Sequence, residues 1–223
     1  MTTSPLFKAM LSVLILTIIT TVFSCRKEEG RIRISGTVTD PLQQIPVADA
    51  EVTLTGKMLQ GGSFNPDPSV ITMTNTASDG SFSIDIAQVR ASELTITIRK
   101  RAYFNAVQTL TVQEVSSDKA YEGSWLLHPE GWVNLRVQNT TPGGASDLIT
   151  YRIFSDNPEC SNCCNSDYVQ GPGPQYDNTV LCRSSAGTTA KVLWNVHKWN
   201  FSRADTTYLN IPLFDTVYYH ITY

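Results

Sequence analysis

ISGTVTD (residues 34–40), IPVADAEVTLTG (45–56) and TMTNTASDGSFSIDI (72–86) decide how this chain folds. In the first stretch and just before it, Ile32, Ile34, Gly36 and Val38 alternate with Arg33, Ser35, Thr37 and Thr39. Alternation with period two marks a strand buried on one face. Pro41 follows Asp40 and ends the strand, because proline has no N–H for a ladder. In the second stretch Val52 and Leu54 alternate with Glu51, Thr53 and Thr55, and Gly56 closes the strand. Residues 57–69 carry Gly61, Gly62, Pro66 and Pro68 and read as a loop. Extended character resumes at Val70. Asp79-Gly80 is a turn dipeptide that accepts positive φ, and Phe82, Ile84 and Ile86 then alternate with Ser81, Ser83 and Asp85. Strand, turn and hairpin signals in this order make the front half of a β-sandwich.

The pattern continues outward. Leu94, Ile96 and Ile98 alternate with polar neighbours, residues 107–112 form a further strand, and residues 125–127 close the first sandwich. His128-Pro129-Glu130-Gly131 reads as a domain boundary. Beyond it Val133, Leu135 and Val137 alternate, Thr141-Pro142-Gly143-Gly144 is a turn, and residues 148–154 are a strand. Residues 157–175 are dense in Cys, Asn, Pro and Gly. Strands return at 191–196, 206–211 and 216–223. No segment after residue 24 sustains a 3.6-residue apolar period. The expectation is an all-β chain with two tandem Ig-like or transthyretin-like β-sandwich domains, 31–128 and 129–223.

Gly36-Thr37-Val38, Pro46-Val47, Ala50-Glu51-Val52-Thr53-Leu54, Thr76 and Asp79-Gly80-Ser81-Phe82 resemble the carboxypeptidase regulatory-like domain, a transthyretin-like sandwich. The resemblance covers about a quarter of the chain. It implies an accessory module without catalytic residues, of the kind attached to peptidases, outer-membrane transporters and surface lipoproteins.

The N-terminus is set apart from the fold. Lys8 precedes a nearly unbroken apolar run, residues 9–23, AMLSVLILTIITTVF. It is short for a membrane span, which needs about 20 apolar residues, and suits the core of a secretory signal. Val22, Phe23, Ser24 and Cys25 resemble the lipobox of bacterial lipoproteins, which implies cleavage after residue 24 and lipidation of Cys25. Residues 25–30 are then a lipidated tether. Arg26, Lys27, Glu28 and Glu29 are similar to the basic-plus-acidic tag that one Gram-negative phylum uses to send lipoproteins to the cell surface; an ordinary solvated tether is the other reading. The expected address is the cell envelope, lipid-anchored in the outer membrane and exposed at the surface.

The chain carries 17 Lys+Arg against 20 Asp+Glu, and removing residues 1–24 takes the formal charge from −3 to −4. A nucleic-acid partner needs a basic surplus on one face, so none is expected. Cys160, Cys163, Cys164 and Cys182 remain beside Cys25. In an exported chain an even set reads as disulfides. A bond between adjacent Cys163 and Cys164 strains the backbone, so one of them pairs with Cys182 and the other with Cys160. Four-cysteine metal binding, with His197 as a substitute ligand, is the rival, but the second C-x2-C turn is missing. Neither G-x-S-x-G nor H-E-x-x-H occurs, and His128, His197 and His220 are scattered. No catalytic residue, metal or cofactor is expected.

Aromatic residues concentrate near the C-terminal end. Val217, Tyr219, Ile221 and Tyr223 share one face and read as core, whereas Trp194, Trp199 and Tyr218 are candidates for an exposed platform that stacks on sugar rings. The functional expectation is a non-enzymatic surface binding or scaffolding module with an envelope protein or a glycan as partner. The alternative is a carbohydrate-binding accessory protein using Trp194, Trp199 and Tyr218; metal binding by the cysteines ranks last.

Overall fold

The computed structural model describes residues 30–115, 120–154, 163–164 and 167–223. The signal segment, Cys25 and Cys160 lie outside the described residues. In chain order the strands are β1 (Arg31–Asp40), β2 (Ile45–Pro46), β3 (Glu51–Gln60), β4 (Ser63–Phe64), β5 (Ser69–Asn75), β6 (Ser81–Ala87), β7 (Ala91–Arg99), β8 (Ala106–Leu110) and β9 (Tyr121–Leu126). There follow β10 (Glu130–Gln138), β11 (Leu148–Phe154), β12 (Val169–Pro172), β13 (Asp177–Ser185), β14 (Thr189–Lys198), β15 (Phe201–Asn210) and β16 (Thr216–Thr222). No helix occurs among the described residues, and the all-β expectation holds.

The alternating faces close two separate cores. Ile32, Ile34 and Val38 of β1 meet Val52 and Leu54 of β3 and Leu94, Ile96 and Ile98 of β7, all essentially solvent-free. Val133, Leu135 and Val137 of β10 meet Ile149, Tyr151 and Ile153 of β11 and Val192 and Val196 of β14 in the second. Each fully buried branched side chain contributes about 1.5–3 kcal/mol relative to exposure, so these cores are what set the strand register.

The two sandwiches share one topology. β1 pairs antiparallel with β6 and parallel with β9, the last strand of its unit. β10 does the same with β13 and β16. The facing sheets match as well: β5-β3-β7-β8 in the first unit and β12-β11-β14-β15 in the second, antiparallel throughout. The chain therefore repeats one fold, which nothing in the spacing of its residues announces.

Local chemistry sets the turns. At Asp79-Gly80 the glycine adopts φ 75°, where a Cβ would lie 2.5 Å from the Val38 carbonyl, and Asp79 Oδ1 accepts from the Ser81 N–H at 2.9 Å. Gly56 does not end its strand as expected. β3 runs on to Gln60 through a register shift between Gly56 and Met58, and Gly61 and Gly62, both at positive φ, turn it back into β4. The stretch read as a loop is thus partly a hairpin.

The sandwiches meet end to end at residues 128–131. Ala102 O accepts from the Glu130 N–H and His128 O from the Phe104 N–H, both at 2.9 Å, while Glu130 O accepts from Phe214 N–H at 2.9 Å. Tyr103 packs edge-on to Phe214 with ring centroids 5.2 Å apart. Arg183 forms an ion pair with Glu130 at 2.6 Å and lies over the Phe104 ring. Asp40, fully buried at the end of β1, accepts from the Tyr103 hydroxyl at 3.1 Å and from the N–H groups of Leu42 and Gln43.

Candidate functional site

β14 and β15 form a long hairpin whose turn, residues 199–200, lies at the end of the second sandwich opposite the junction. From Phe201 to Thr206 both faces of β15 are exposed, so the inner face of the hairpin runs past the three-stranded sheet that should cover it. The space left is a cavity of ≈ 510 Å³. Trp194, Val196 and Lys198 of β14 line it from one side, Phe201 and Arg203 of β15 from another, and Tyr223 and Thr141 from the ends of β16 and β10. Small-molecule sites typically measure about 300–1,000 Å³.

The charges around this cavity are already paired. Lys198, 8% exposed, donates from Nζ to Asn139 Oδ1 at 3.0 Å, to Thr141 Oγ1 at 3.2 Å and to the Thr141 carbonyl. Asp147 lies 4.0 Å from it and accepts from Gly143 N–H and Asn139 Nδ2 at 2.8 Å each. The Gly143 N–H, with help from Asn139 and Lys198, holds the Asp147 carboxyl below the usual carboxylate range against the opposing effect of burial. Arg203 pairs with Asp205 at 2.8 Å and lies 5.1 Å over the Trp194 ring.

Three buried polar atoms beside the cavity are left over, one of them Asp147 Oδ1. Trp194 Nε1–H and the Tyr223 hydroxyl are buried without a hydrogen-bond partner among the described residues, although both side chains line the cavity. Burial, with Tyr176 and Asp147 nearby, pushes the Tyr223 phenol up to about 12, so it stays protonated and able to donate. An unpartnered buried N–H or O–H costs about 1–3 kcal/mol until a water or ligand satisfies it.

The three aromatic candidates do not form one platform. Trp194 faces inward and is 8% exposed; Trp199 stands at the hairpin turn, 86% exposed; both line the same cavity. Tyr218, 73% exposed, is on the outer face of the other sheet, in register with Asn134. The parity of β16 separates it from Tyr219 and Ile221, which point into the core. Tyr223, read from sequence as core, also lines the cavity. Lys198 was missed in the sequence, although after Val192, Trp194 and Val196 it occupies the next inward position, an unusual place for a lysine.

Cys164 and Cys182 form a disulfide, which ties the cysteine-rich stretch to β13 beside the Cys164 N–H to Arg183 O bond. Cys163 is also disulfide-bonded, and its expected partner Cys160 lies outside the described residues. These bonds remove the thiolates that the rival metal reading requires. His197 is exposed on the outer face of β14, and no group of three or more metal-ligating side chains occurs among the described residues. His128 and His220 are exposed and far apart in the fold.

No protein-family model matches the chain, and no curated protein matches it. Among solved structures it is similar to the TIE protein of Bacillus anthracis, at 9% identity and a TM-score of 0.36. That alignment covers 86% of this chain and 34% of the other, so this chain spans about a third of that protein. It is also similar to the shaft pilin SpaA of Lactobacillus rhamnosus GG, at 8% identity and a TM-score of 0.33, covering 86% and 96% of the two chains. The minor pilin GBS52 of Streptococcus agalactiae gives 8% identity and a TM-score of 0.33, covering 86% and 94%.

Proposed function

We propose that this chain is a non-enzymatic cell-envelope lipoprotein, a binding or scaffolding module held by lipid at Cys25 and presented at the cell surface, with domains at 31–128 and 129–223. The observation that carries this reading is the polarity of the molecule. β1 starts next to the tether and runs toward the junction, and β10 continues away from it. The end remote from the anchor carries the aromatic cavity, where a surface module would meet its ligand.

Intact mass of the chain purified from envelopes tests the anchor: it should begin at Cys25 and carry acyl chains, and Cys25→Ala should abolish the acylation. Proteinase treatment of whole cells tests presentation. A chain that keeps residues 1–24, or resists proteinase until cells are lysed, would overturn the reading.

A further inference from the structure

We propose that the cavity at the free end of the second sandwich binds an uncharged carbohydrate, with a pyranose ring stacked on Trp199 and its hydroxyls reaching the exposed polar rim of Thr141, Asn200 and Thr222. This rests on the reading of the chain as an outward-facing binding module and names the ligand class for it.

The shared topology makes the argument. The turn between β7 and β8 and the turn between β14 and β15 occupy equivalent places in the two units. In the first unit that turn carries Tyr103 and Phe104, which are covered by Phe214 and Arg183 of the second unit. In the second unit the same end is open, with Trp199 86% and Phe201 49% exposed. Another copy of the chain cannot fill it by the same contact. The face that would dock, built on Glu130, Arg183 and Phe214, is already occupied by each copy's own first sandwich.

The chemistry of the cavity selects the occupant. Lys198 is saturated by Asn139 and Thr141 beside Asp147, and Arg203 is paired with Asp205, so no net charge is offered to an ionic ligand. What is offered is an open indole face and a rim of exposed polar side chains, Thr141, Asn200 and Thr222. A sugar has an apolar face of C–H groups and a rim of hydroxyls that both accept and donate, and so fits both features.

The test uses the full chain in a detergent without a sugar headgroup, probed on an array of neutral oligosaccharides (glucans, mannans, galactans and N-acetylglucosamine oligomers) with a proline-rich peptide and sialylated glycans alongside. The expected result is saturable binding of a neutral oligosaccharide that persists at high salt. Trp199→Ala should weaken it about tenfold and Asn200→Ala several-fold, whereas Tyr218→Ala should leave it unchanged. Because Trp199 is exposed, its removal leaves folding intact, which circular dichroism verifies. Binding to sialylated glycans alone, to the peptide alone, or to nothing on the array would overturn the proposal, as would binding indifferent to Trp199→Ala. Self-association lost on Trp199→Ala, read by light scattering, would assign the end to a second copy instead. Absence of glycan binding by a chain that is proteinase-accessible on cells sinks the ligand class alone; absence of accessibility sinks the surface reading beneath it.

Discussion

Replacing Gly123 by alanine should destabilise the first sandwich, and shortening Trp125 should cancel the effect. Gly36 of β1 and Gly123 of β9 are direct partners in the parallel ladder, and the indole of Trp125 lies back over both. A Cβ on Gly123 would sit 2.4, 2.8 and 2.9 Å from three indole carbons and meets no other atom so closely. The indole cannot retreat easily, since Phe82 holds it at 5.1 Å and Tyr121 at 6.3 Å between ring centroids. Overpacking of this kind costs about 1–3 kcal/mol, while replacing a strand glycine by alanine returns roughly 0.5–1 kcal/mol of backbone entropy. The net expectation is a loss of about 1–2 kcal/mol. In a Trp125→Leu background the obstructing ring is gone, and Gly123→Ala should be neutral or slightly stabilising, a coupling of about 2 kcal/mol. Gly36→Ala is the contrast: its Cβ would also lie 2.3 Å from the Gly123 carbonyl, so its cost should survive in both backgrounds. Urea titrations of the four variants, followed by circular dichroism, measure the cycle. Equal costs of Gly123→Ala with and without the indole would refute a steric slot as the reason for these glycines.

Three further outcomes follow from the same structure. The Cys164–Cys182 bond closes a sequence separation of 18 residues, so Cys164→Ala with Cys182→Ala should lower the stability of the second sandwich by about 3 kcal/mol in urea. Burial alone would raise the Asp40 carboxyl, but hydrogen bonds from Gln43, Leu42 and Tyr103 outweigh it and hold the group below its ordinary range. Its contribution is therefore present above the unfolded pKa of about 3.9 and is lost as pH falls through the depressed folded value; Asp40→Asn should flatten that acid limb in urea midpoints taken from pH 7 to 2. Burial first, and Asp40 second, push Tyr103 up to about 12, so its contribution is complete below about pH 10 and is lost as pH rises through the folded value. Tyr103→Phe should make the alkaline loss of stability shallower.

The strands with a clean period-two pattern on one buried face were legible; Ile32, Ile34 and Val38 or Val133, Leu135 and Val137 need only the local sequence to declare their inward side, whereas β4, β12, β13 and the start of β15 at Phe201 were not read from it. Gly56 misled, since a glycine read as a stop is accommodated in β3 by close packing against Ile71 and Leu94. Those partners are remote in sequence. The candidate site was legible only in part, for the same reason. Trp194 and Trp199 come from one hairpin and could be named together, and Tyr218 carried no local mark to say that it belongs to the opposite sheet. Thr141 and Tyr223 arrive beside them because β16 returns parallel to β10, which puts the ends of two strands, the first and last of their unit, at the same rim. Parallel pairing cannot be made by a hairpin and leaves no turn signal to read. Alternation identifies which side chains point inward, but it is silent about where one sheet stops short of the other. That shortfall turns Trp194, Lys198 and Tyr223 from core residues into the wall of a cavity, and it is a property of strand lengths and offsets that only the assembled sandwich expresses.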